Sequence, residues 1–227
     1  MREAGRVSQL GCVPLPVVRA MYYPVIEIFQ SIQGEGVSVG EPCNFVRLAG
    51  CSLRCPWCDT KYAWDVRNAR LMTIRQILRE LDPNLDIVVI TGGEPLMRDL
   101  TDLVTMLDKC FFVDVETNGM FRPSHTVIEH VNMFHVSPKP FVKGYKLRFP
   151  IKEAADVKAV VYDVDELKRW LEWAKQHHIP HEKLIVQPRS PYDDLKRLQA
   201  LWRAAVSMNL KFIPQMHKLV WGEGVRI

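Results

Sequence analysis

The chain alternates short apolar runs with segments whose apolar residues recur at helical spacing. Ile87–Ile90 is a continuous apolar run, typical of a strand that is buried on both faces. Thr73–Leu81 has the helical spacing, and Thr73 with Gln76 matches a capping box at its start. The same criteria predict strands at Val25–Phe29, Asn44–Leu48, Phe111–Glu116, Met133–Val136, Val157–Tyr162, Leu184–Gln187 and Leu210–Ile213. They predict helices at Leu100–Leu107, Val164–His177 and Asp193–Met208. This alternation indicates a mainly parallel sheet in an α/β protein.

The number of units limits how such a sheet can close. The count is near six strands with few helices, which is too few for the eight strand–helix units of a closed barrel. An open or partial barrel is therefore the expected architecture. The 227 residues suffice for one sizeable core, and no internal repeat or Gly/Ser linker divides them. We therefore expect a single domain.

Polar segments follow the predicted strands directly. Thr91–Pro95, Glu116–Gly119, Ser137–Lys139 and Gln187–Pro188 each come at or just after the end of a strand. Because the carboxyl ends of parallel strands lie at one edge of a sheet, these segments should meet on one rim. That rim is the expected position of the site.

Charge and apolar patterning exclude several kinds of partner. The net charge is only +4, with no block of Lys and Arg of the kind that binds nucleic acid. No apolar run approaches the roughly 18 residues that a membrane span needs. Met1–Ala20 loosely imitates a signal sequence, but two prolines interrupt it and no convincing cleavage site follows. We expect a cytoplasmic protein that binds neither nucleic acid nor a membrane.

Cys51, Cys55 and Cys58 form a C-x3-C-x2-C loop. Three thiolates on one loop can hold three corners of a four-iron cluster and leave one iron open for chemistry. The alternative is a structural zinc site, which needs four protein ligands, and Cys43 is the candidate for the fourth. A simple electron carrier would normally have every iron capped by cysteine. The missing fourth ligand therefore favours a catalytic cluster.

Other candidate residues have two readings each from the sequence alone. Arg47 lies within an apolar strand and suits either a substrate carboxylate or a structural salt bridge. Thr60 follows the last cysteine of the loop and is either a magnesium ligand or a turn hydroxyl. Gln33 and Glu35 lie in a polar, glycine-rich segment that forms either a pocket floor or a solvated turn. Glu94 follows two glycines and could accept from a ligand's amine.

The motifs together resemble one family. The cysteine loop with Trp57 in its aromatic slot, followed by Gly92–Pro95 at a strand end, is the pattern of the radical S-adenosylmethionine superfamily. Further motifs resemble the 7-carboxy-7-deazaguanine synthase family: Ser31–Gly36, Cys58–Trp64, Glu116–Gly119, Ser137–Lys139 and Gln215–Lys218. The likeness runs from Met21 to the C-terminus. Segment 1–20 is therefore expected to be an N-terminal extension before a domain that spans 21–227, and the tail from Trp221 is particular to this chain.

The resemblance implies a modified, incomplete βα barrel and a carbon–nitrogen lyase. Its members bind a [4Fe–4S] cluster, S-adenosylmethionine and Mg²⁺. They convert 6-carboxy-5,6,7,8-tetrahydropterin to 7-carboxy-7-deazaguanine with loss of ammonia, on the route to queuosine-type 7-deazapurines. It also implies a homodimer and a one-electron reductant such as flavodoxin or ferredoxin. The rival within the superfamily is an activase that places a radical on a partner polypeptide, and Gln33, Glu35 and Arg47 favour the small heterocyclic acid.

The resemblance also implies roles for individual residues. Cys51, Cys55 and Cys58 match the cluster ligands, and Thr60 matches the magnesium ligand. The matching contacts for S-adenosylmethionine are Gly93, Asn118, Ser137, Pro138, Lys139 and Gln187. Those for the substrate are Ile32, Gln33, Gly34, Arg47 and Thr91. No catalytic side chain is assigned beyond the cluster and the cofactor.

Overall fold

The computed structural model describes residues 21–222, and their strands form one sheet. The strands are β1 (Tyr22–Ile32), β2 (Pro42–Leu48), β3 (Arg70–Thr73), β4 (Ile87–Gly92), β5 (Phe112–Thr117), β6 (Met133–Val136), β7 (Ala154–Val161), β8 (Leu184–Pro188) and β9 (Lys211–Phe212). The helices are α1 (Ile74–Glu80), α2 (Thr101–Leu107), α3 (His125–His130), α4 (Val164–Gln176), α5 (Leu195–Ser207) and α6 (Met216–Trp221). The predicted extension 1–20 and the end of the C-terminal tail lie outside the described residues.

The sheet is open and mainly parallel, as the sequence predicts. Its strand order is β3-β1-β2-β4-β5-β6-β7-β8-β9, so β3 and β9 are its edges within residues 21–222. Every pair from β2 to β9 along this order is parallel. The first strand departs from a regular βα barrel, because β1 pairs antiparallel with both β2 and β3.

The predicted elements are all present, with small shifts at their ends. Thr73 and Gln76 form the predicted capping box at the start of α1. The helix predicted from Asp193 instead begins at Leu195, because the Asp194 side chain accepts from a backbone N–H of the first turn. The patterning did not predict β3, α3 or α6, which are short elements of four to six residues.

Alternation along the parallel strands separates an apolar core from a polar interior. Residues such as Val113 and Val115 on β5 pack into the core, whereas Asp114 on the same strand faces the opposite side. Asp114, His135, Asp156 and Lys158 are all at most 1% exposed. The inner face of the open barrel is therefore polar and buried. Among the described residues, no helix is long and apolar enough to cross a membrane.

Candidate active site

The polar segments that follow the parallel strands line one cavity of about 270 Å³. Thr91, Asn118, Ser137 and Gln187, from four different strand ends, all contribute to its wall. The predicted meeting on one rim is therefore confirmed. The cavity is also lined by Ile32, Gln33, Gly34, Arg47, Cys51, Cys55, Cys58, Thr60, Gly93 and Lys139. Pro138 is the exception: it is buried and does not line the cavity, so any contact with a ligand there would come from its neighbours Ser137 and Lys139.

The cysteine loop is held to the sheet by backbone hydrogen bonds on both sides. The Gly50 N–H donates to the Ala63 carbonyl over 2.8 Å, and the Glu94 N–H donates to the Gly50 carbonyl over 2.8 Å. Gly93 permits this approach, since a Cβ there would lie 2.2 Å from the Gly50 oxygen. Part of what the Gly-Gly motif does is therefore structural: it lets the end of β4 pass directly beneath the cysteine loop.

The three thiols fit three corners of an iron–sulfur cluster. All three line the cavity, and within residues 21–222 no other cysteine does. Burial raises the pKa of Cys51, Cys55 and Cys58, so the thiolates need a cationic partner to form at neutral pH. Iron supplies that charge and is a soft-ligand metal. Cys43 begins β2 at the opposite end of the strand from the cysteine loop, which argues against it as a fourth zinc ligand.

The Glu94 carboxylate is used inside the protein and does not serve as an acceptor for a ligand. It is 1% exposed and accepts hydrogen bonds from the Leu96 N–H, the Thr117 hydroxyl and the Asn118 N–H at 2.7–3.0 Å. Its role is to tie the end of β4 to the end of β5. The suggestion that it receives a ligand's amine is therefore wrong for the side chain.

Arg47 forms a structural salt bridge and also faces the cavity where a substrate carboxylate could bind, so both interpretations of its sequence position are compatible with the structure. Its Nε donates to the Glu27 carboxylate over 2.7 Å, and its guanidinium lies over the rings of Phe29 and Tyr62. The same side chain lines the cavity, with Nη1 3.5 Å from the Thr60 hydroxyl. Glu27 and the two rings orient the guanidinium while its remaining N–H groups stay available to an anion.

Thr60 precedes a short 3-10 helix but makes no side-chain cap there. Its hydroxyl instead donates to Asp59 over 2.7 Å. Asp59 lies close to Glu35 and His217, and one ligand atom of each lies within 4.8 Å of the others. This part of the cavity is rich in oxygen donors, the chemistry that Mg²⁺ requires.

Sequence reasoning missed the ion network on the cavity wall. The Lys158 ammonium is 1% exposed and donates to Glu35 over 2.7 Å and to Glu116 over 2.6 Å. Burial would raise the pKa of Glu35, but Lys158 and His217 outweigh it and hold that pKa at about 2. Burial raises the pKa of Glu116 even though Lys158 opposes the rise. Gln33 donates to Glu116 over 3.2 Å, which joins this network to the polar segment after β1.

Lys158 was overlooked because a lysine between valine and alanine in a strand has the alternation of a solvent-exposed face. A signal was present in the polar residues at or near the carboxyl ends of three neighbouring strands. Glu116, Ser137 and Lys158 all point to the interior of one sheet, whose other face is covered by helices.

Comparison with known proteins agrees with this geometry. The sequence profile of the Radical SAM superfamily matches residues 46–136. The 7-carboxy-7-deazaguanine synthase of Pyrobaculum aerophilum is 36% identical over 209 residues, covering 87% of this chain and 94% of that protein. The enzyme of the same name from Escherichia coli K12 is 32% identical, covering 87% and 98%. The crystal structure of QueE from Escherichia coli superposes with a TM-score of 0.72 at 28% identity, covering 86% of this chain and 94% of that one.

An open parallel barrel with three cysteines on one loop above its carboxyl-terminal rim defines a radical S-adenosylmethionine protein. Proteins of this class use a [4Fe–4S] cluster and S-adenosylmethionine. Within the class, the chain belongs to the 7-carboxy-7-deazaguanine synthase family. It is therefore an enzyme of the type that acts on a small molecule.

Proposed function

We propose that this protein converts 6-carboxy-5,6,7,8-tetrahydropterin to 7-carboxy-7-deazaguanine, with loss of ammonia, for 7-deazapurine biosynthesis of the queuosine type. The observation that carries the proposal is that one cavity is lined by the three thiols, by Arg47 and by the Gln33–Glu116–Lys158 network. A cofactor bound at the thiols and a heterocyclic acid bound at Arg47 would lie side by side.

Cys51, Cys55 and Cys58, which all line the cavity, would hold the cluster. When bound, the cluster and S-adenosylmethionine supply a one-electron cleavage that yields a hydrogen-abstracting radical. The protein holds the reactants and excludes water. The Cys58 N–H donates to the Cys55 carbonyl over 3.0 Å, which keeps the last two ligands on one turn.

For S-adenosylmethionine we propose contacts from Gly93, Asn118, Ser137, Lys139 and Gln187. Pro138 would shape the backbone between Ser137 and Lys139. Among these residues, Gln187 has the strongest structural support as a ligand contact. It is 2% exposed, lines the cavity, and has a buried Oε1 without a hydrogen-bond partner among the described residues. A buried acceptor without a donor is costly, and a ligand's hydroxyl or amine would satisfy it. Lys139 is anchored by donating to the Ser137 carbonyl and hydroxyl over 2.5 and 2.6 Å.

For the substrate we propose that Arg47 binds the carboxylate. A guanidinium fits a carboxylate bidentately, and Glu27 already fixes its orientation. Gln33 and Thr91 would read the donor and acceptor edges of the ring, and Ile32 and Gly34 would contact its faces. Gly34 leaves room for His217, because a Cβ there would lie 2.9 Å from the His217 Nδ1.

We propose that Thr60 is a ligand to Mg²⁺, which would also neutralise the substrate carboxylate together with Arg47. The support is the local chemistry: the Thr60 hydroxyl lies 3.5 Å from Arg47 Nη1 and next to Asp59. Hard oxygen ligands and a nearby anion are what this ion takes in substrate complexes.

The proposal extends to partners and location. A one-electron reductant such as flavodoxin or ferredoxin would deliver the electron to the cluster. The cysteine usage fits a reducing, cytoplasmic compartment. We also propose a homodimer. Leu195, Trp202 and Val206 lie exposed at helical spacing on α5, and Leu219 and Trp221 lie exposed on α6. Apolar faces of this kind are typical of subunit contacts.

The test is anaerobic reconstitution with iron and sulfide, followed by incubation with the carboxypterin, S-adenosylmethionine, Mg²⁺ and dithionite. We expect ammonia and a product with the mass of 7-carboxy-7-deazaguanine. Cys110→Ala is a matched control, because Cys110 does not line the cavity and its loss should leave activity unchanged. A reconstituted cluster that cleaves S-adenosylmethionine but yields neither product would reject the proposed substrate.

A further inference from the structure

A second, wholly buried ion cluster lies beneath the substrate cavity. His135 on β6 stands between Asp156 on β7 and Asp114 on β5, with its Nδ1 2.6 Å from the Asp156 Oδ2 and its Nε2 3.2 Å from the Asp114 Oδ2. The three side chains are at most 1% exposed, and none of them lines the cavity. Each of them comes two positions before Glu116, Ser137 or Lys158 on its own strand, so it lies roughly 6–7 Å further from the rim along that strand.

This layer holds the segment that joins β1 to β2, residues 33–41. The Val37 N–H donates to the Asp156 Oδ2 over 2.9 Å. The Ser38 hydroxyl donates to the Asp114 Oδ2 over 3.1 Å and lies 3.3 Å from the His135 Nε2. The segment 33–41 is therefore bonded to all three members of the cluster.

Gly36 shows how closely the segment fits the cluster. Its φ is +69°, and a Cβ there would lie 2.7 Å from the Asp156 Oδ2 and 2.8 Å from the His135 Nδ1. Glycine is required both for the left-handed backbone and for the contact. The glycine of this motif is thus explained by the ion pair beneath it and not by a ligand.

The other end of the segment faces the substrate cavity. Gln33 Nε2 donates to Glu116 over 3.2 Å, Glu35 accepts from Lys158 over 2.7 Å, and the Glu35 N–H donates to the Gln33 Oε1 over 3.2 Å. Gln33 and Glu35 are the cavity-facing side chains, whereas Gly36, Val37 and Ser38 rest on the buried cluster. The position of the first pair depends on the anchoring of the next three residues.

The proton count in the cluster favours an imidazolium. Each ring nitrogen of His135 faces a carboxylate oxygen, and a neutral ring could donate to only one of the two carboxylates. The second oxygens, Asp114 Oδ1 and Asp156 Oδ1, are buried without partners among the described residues. Burial alone would lower the pKa of His135, but the hydrogen bonds to Asp114 and Asp156, aided by Glu116, raise it to about 10. The remaining groups nearby are Lys158, which acts on Asp156, and the Cys43 thiol, which faces Asp114.

We infer that His135 is a positioning residue for substrate binding: the imidazolium joins Asp114 to Asp156, and the three together fix segment 33–41 so that Gln33 and Glu35 meet the pterin. This inference rests on the proposed function for its substrate. The contacts proposed above for S-adenosylmethionine do not include segment 33–41, so the cluster should govern the pterin KM and leave cofactor cleavage largely unchanged.

The test compares the reconstituted wild-type enzyme with His135→Gln and Ser38→Ala. His130→Gln is the matched control, because His130 is a histidine paired with an aspartate, Asp108, over 2.9 Å on the surface. We expect His135→Gln to raise the KM for the carboxypterin by about tenfold or more, the loss expected for a hydrogen bond to a charged group. Cleavage of S-adenosylmethionine without pterin should stay within about twofold, as should both parameters in His130→Gln.

Ser38→Ala keeps the ion cluster and removes only the side-chain link to it, so it decides the matter if His135→Gln fails to fold. A smaller rise in KM, of several fold, is expected there. A second readout does not need the substrate: hydrogen exchange in a peptide that covers 33–41 should be about tenfold faster in both variants.

The two failures are distinguishable. Wild-type protein that makes no 7-deazapurine refutes the proposed function, while the exchange experiment still decides whether the cluster fixes segment 33–41. Unchanged exchange with an unchanged KM overturns the inference. So does a parallel fall in pterin-free cofactor cleavage, which would place the effect at Ser137 on the same strand.

Discussion

Removing the Lys158 ammonium should destabilise the protein far more than removing a surface cation. Lys158 is 1% exposed and lies between Glu35 and Glu116 at 2.7 and 2.6 Å. In Lys158→Met, the Glu35 and Glu116 carboxylates would lose the ammonium that both of them contact, and His217 would still offset part of the charge of Glu35. Loss of one partner from a buried ion pair costs about 3–5 kcal/mol. For a chain of this size about 1 kcal/mol corresponds to 2–4 °C, so the melting temperature should fall by roughly 6–20 °C.

The assay is thermal unfolding of anaerobically purified protein, with Arg70→Met as the control. Arg70 pairs with Glu80 at 3.0 Å on the surface, where its side chain is 58% exposed. An exposed pair of this kind contributes at most about 1 kcal/mol. The double variant Lys158→Met with Glu116→Gln should regain part of the loss, because it removes one of the two carboxylate charges.

The pH dependence separates an electrostatic cause from a packing cause. The deficit of Lys158→Met should shrink at pH 5, where protonation of the freed carboxylates removes their repulsion, and grow at pH 8. A melting temperature for Lys158→Met within the range of Arg70→Met at both pH values would refute the reasoning. A deficit independent of pH, unrelieved by Glu116→Gln, would assign the effect to lost packing of the lysine stem.

Three further outcomes are expected. Cys55→Ala should abolish cluster assembly and S-adenosylmethionine cleavage together, measured by iron content and 5′-deoxyadenosine release; cleavage at the wild-type rate would contradict the ligand assignment. Thr60→Ala should lower activity and flatten its Mg²⁺ titration while Thr60→Ser keeps both, whereas an unchanged titration would remove Thr60 from the site. The raised pKa of His135 adds stability in full below its ordinary value of 6.5 and loses it as the pH rises toward about 10. The stability difference between wild type and His135→Gln should therefore shrink over that range, and a difference that is constant from pH 6 to 10 would count against the imidazolium.

Much of the fold could be predicted because the core is periodic. Strand β4 begins with a continuous apolar run, and the helices that cover the sheet have apolar residues that repeat every 3.6 residues. The antiparallel edge formed by β1 and β3 could not be predicted, because a four-residue strand that starts with Arg-Leu carries little pattern.

Some residues of the candidate site could be predicted from the sequence and others could not. Residues in contiguous motifs, such as the cysteine loop, were found from spacing and resemblance. The buried interior charges were not, because Asp114 and Lys158 sit between apolar residues and have the alternation expected of a solvent-facing strand. Only the tertiary structure shows that the polar face of the sheet is enclosed and that its charges pair with one another. For Arg47, the sequence predicted its place in a strand and its candidacy for the site, but it did not predict the salt bridge to Glu27.

We propose that Cys51, Cys55 and Cys58 hold a cluster whose remaining iron binds S-adenosylmethionine. Mössbauer spectroscopy of protein reconstituted with ⁵⁷Fe, recorded with and without S-adenosylmethionine, tests it most directly. We expect a [4Fe–4S] signal in which the parameters of one iron site change when the cofactor is added. A cluster whose iron sites all stay unchanged, or a centre occupied by zinc, would contradict it.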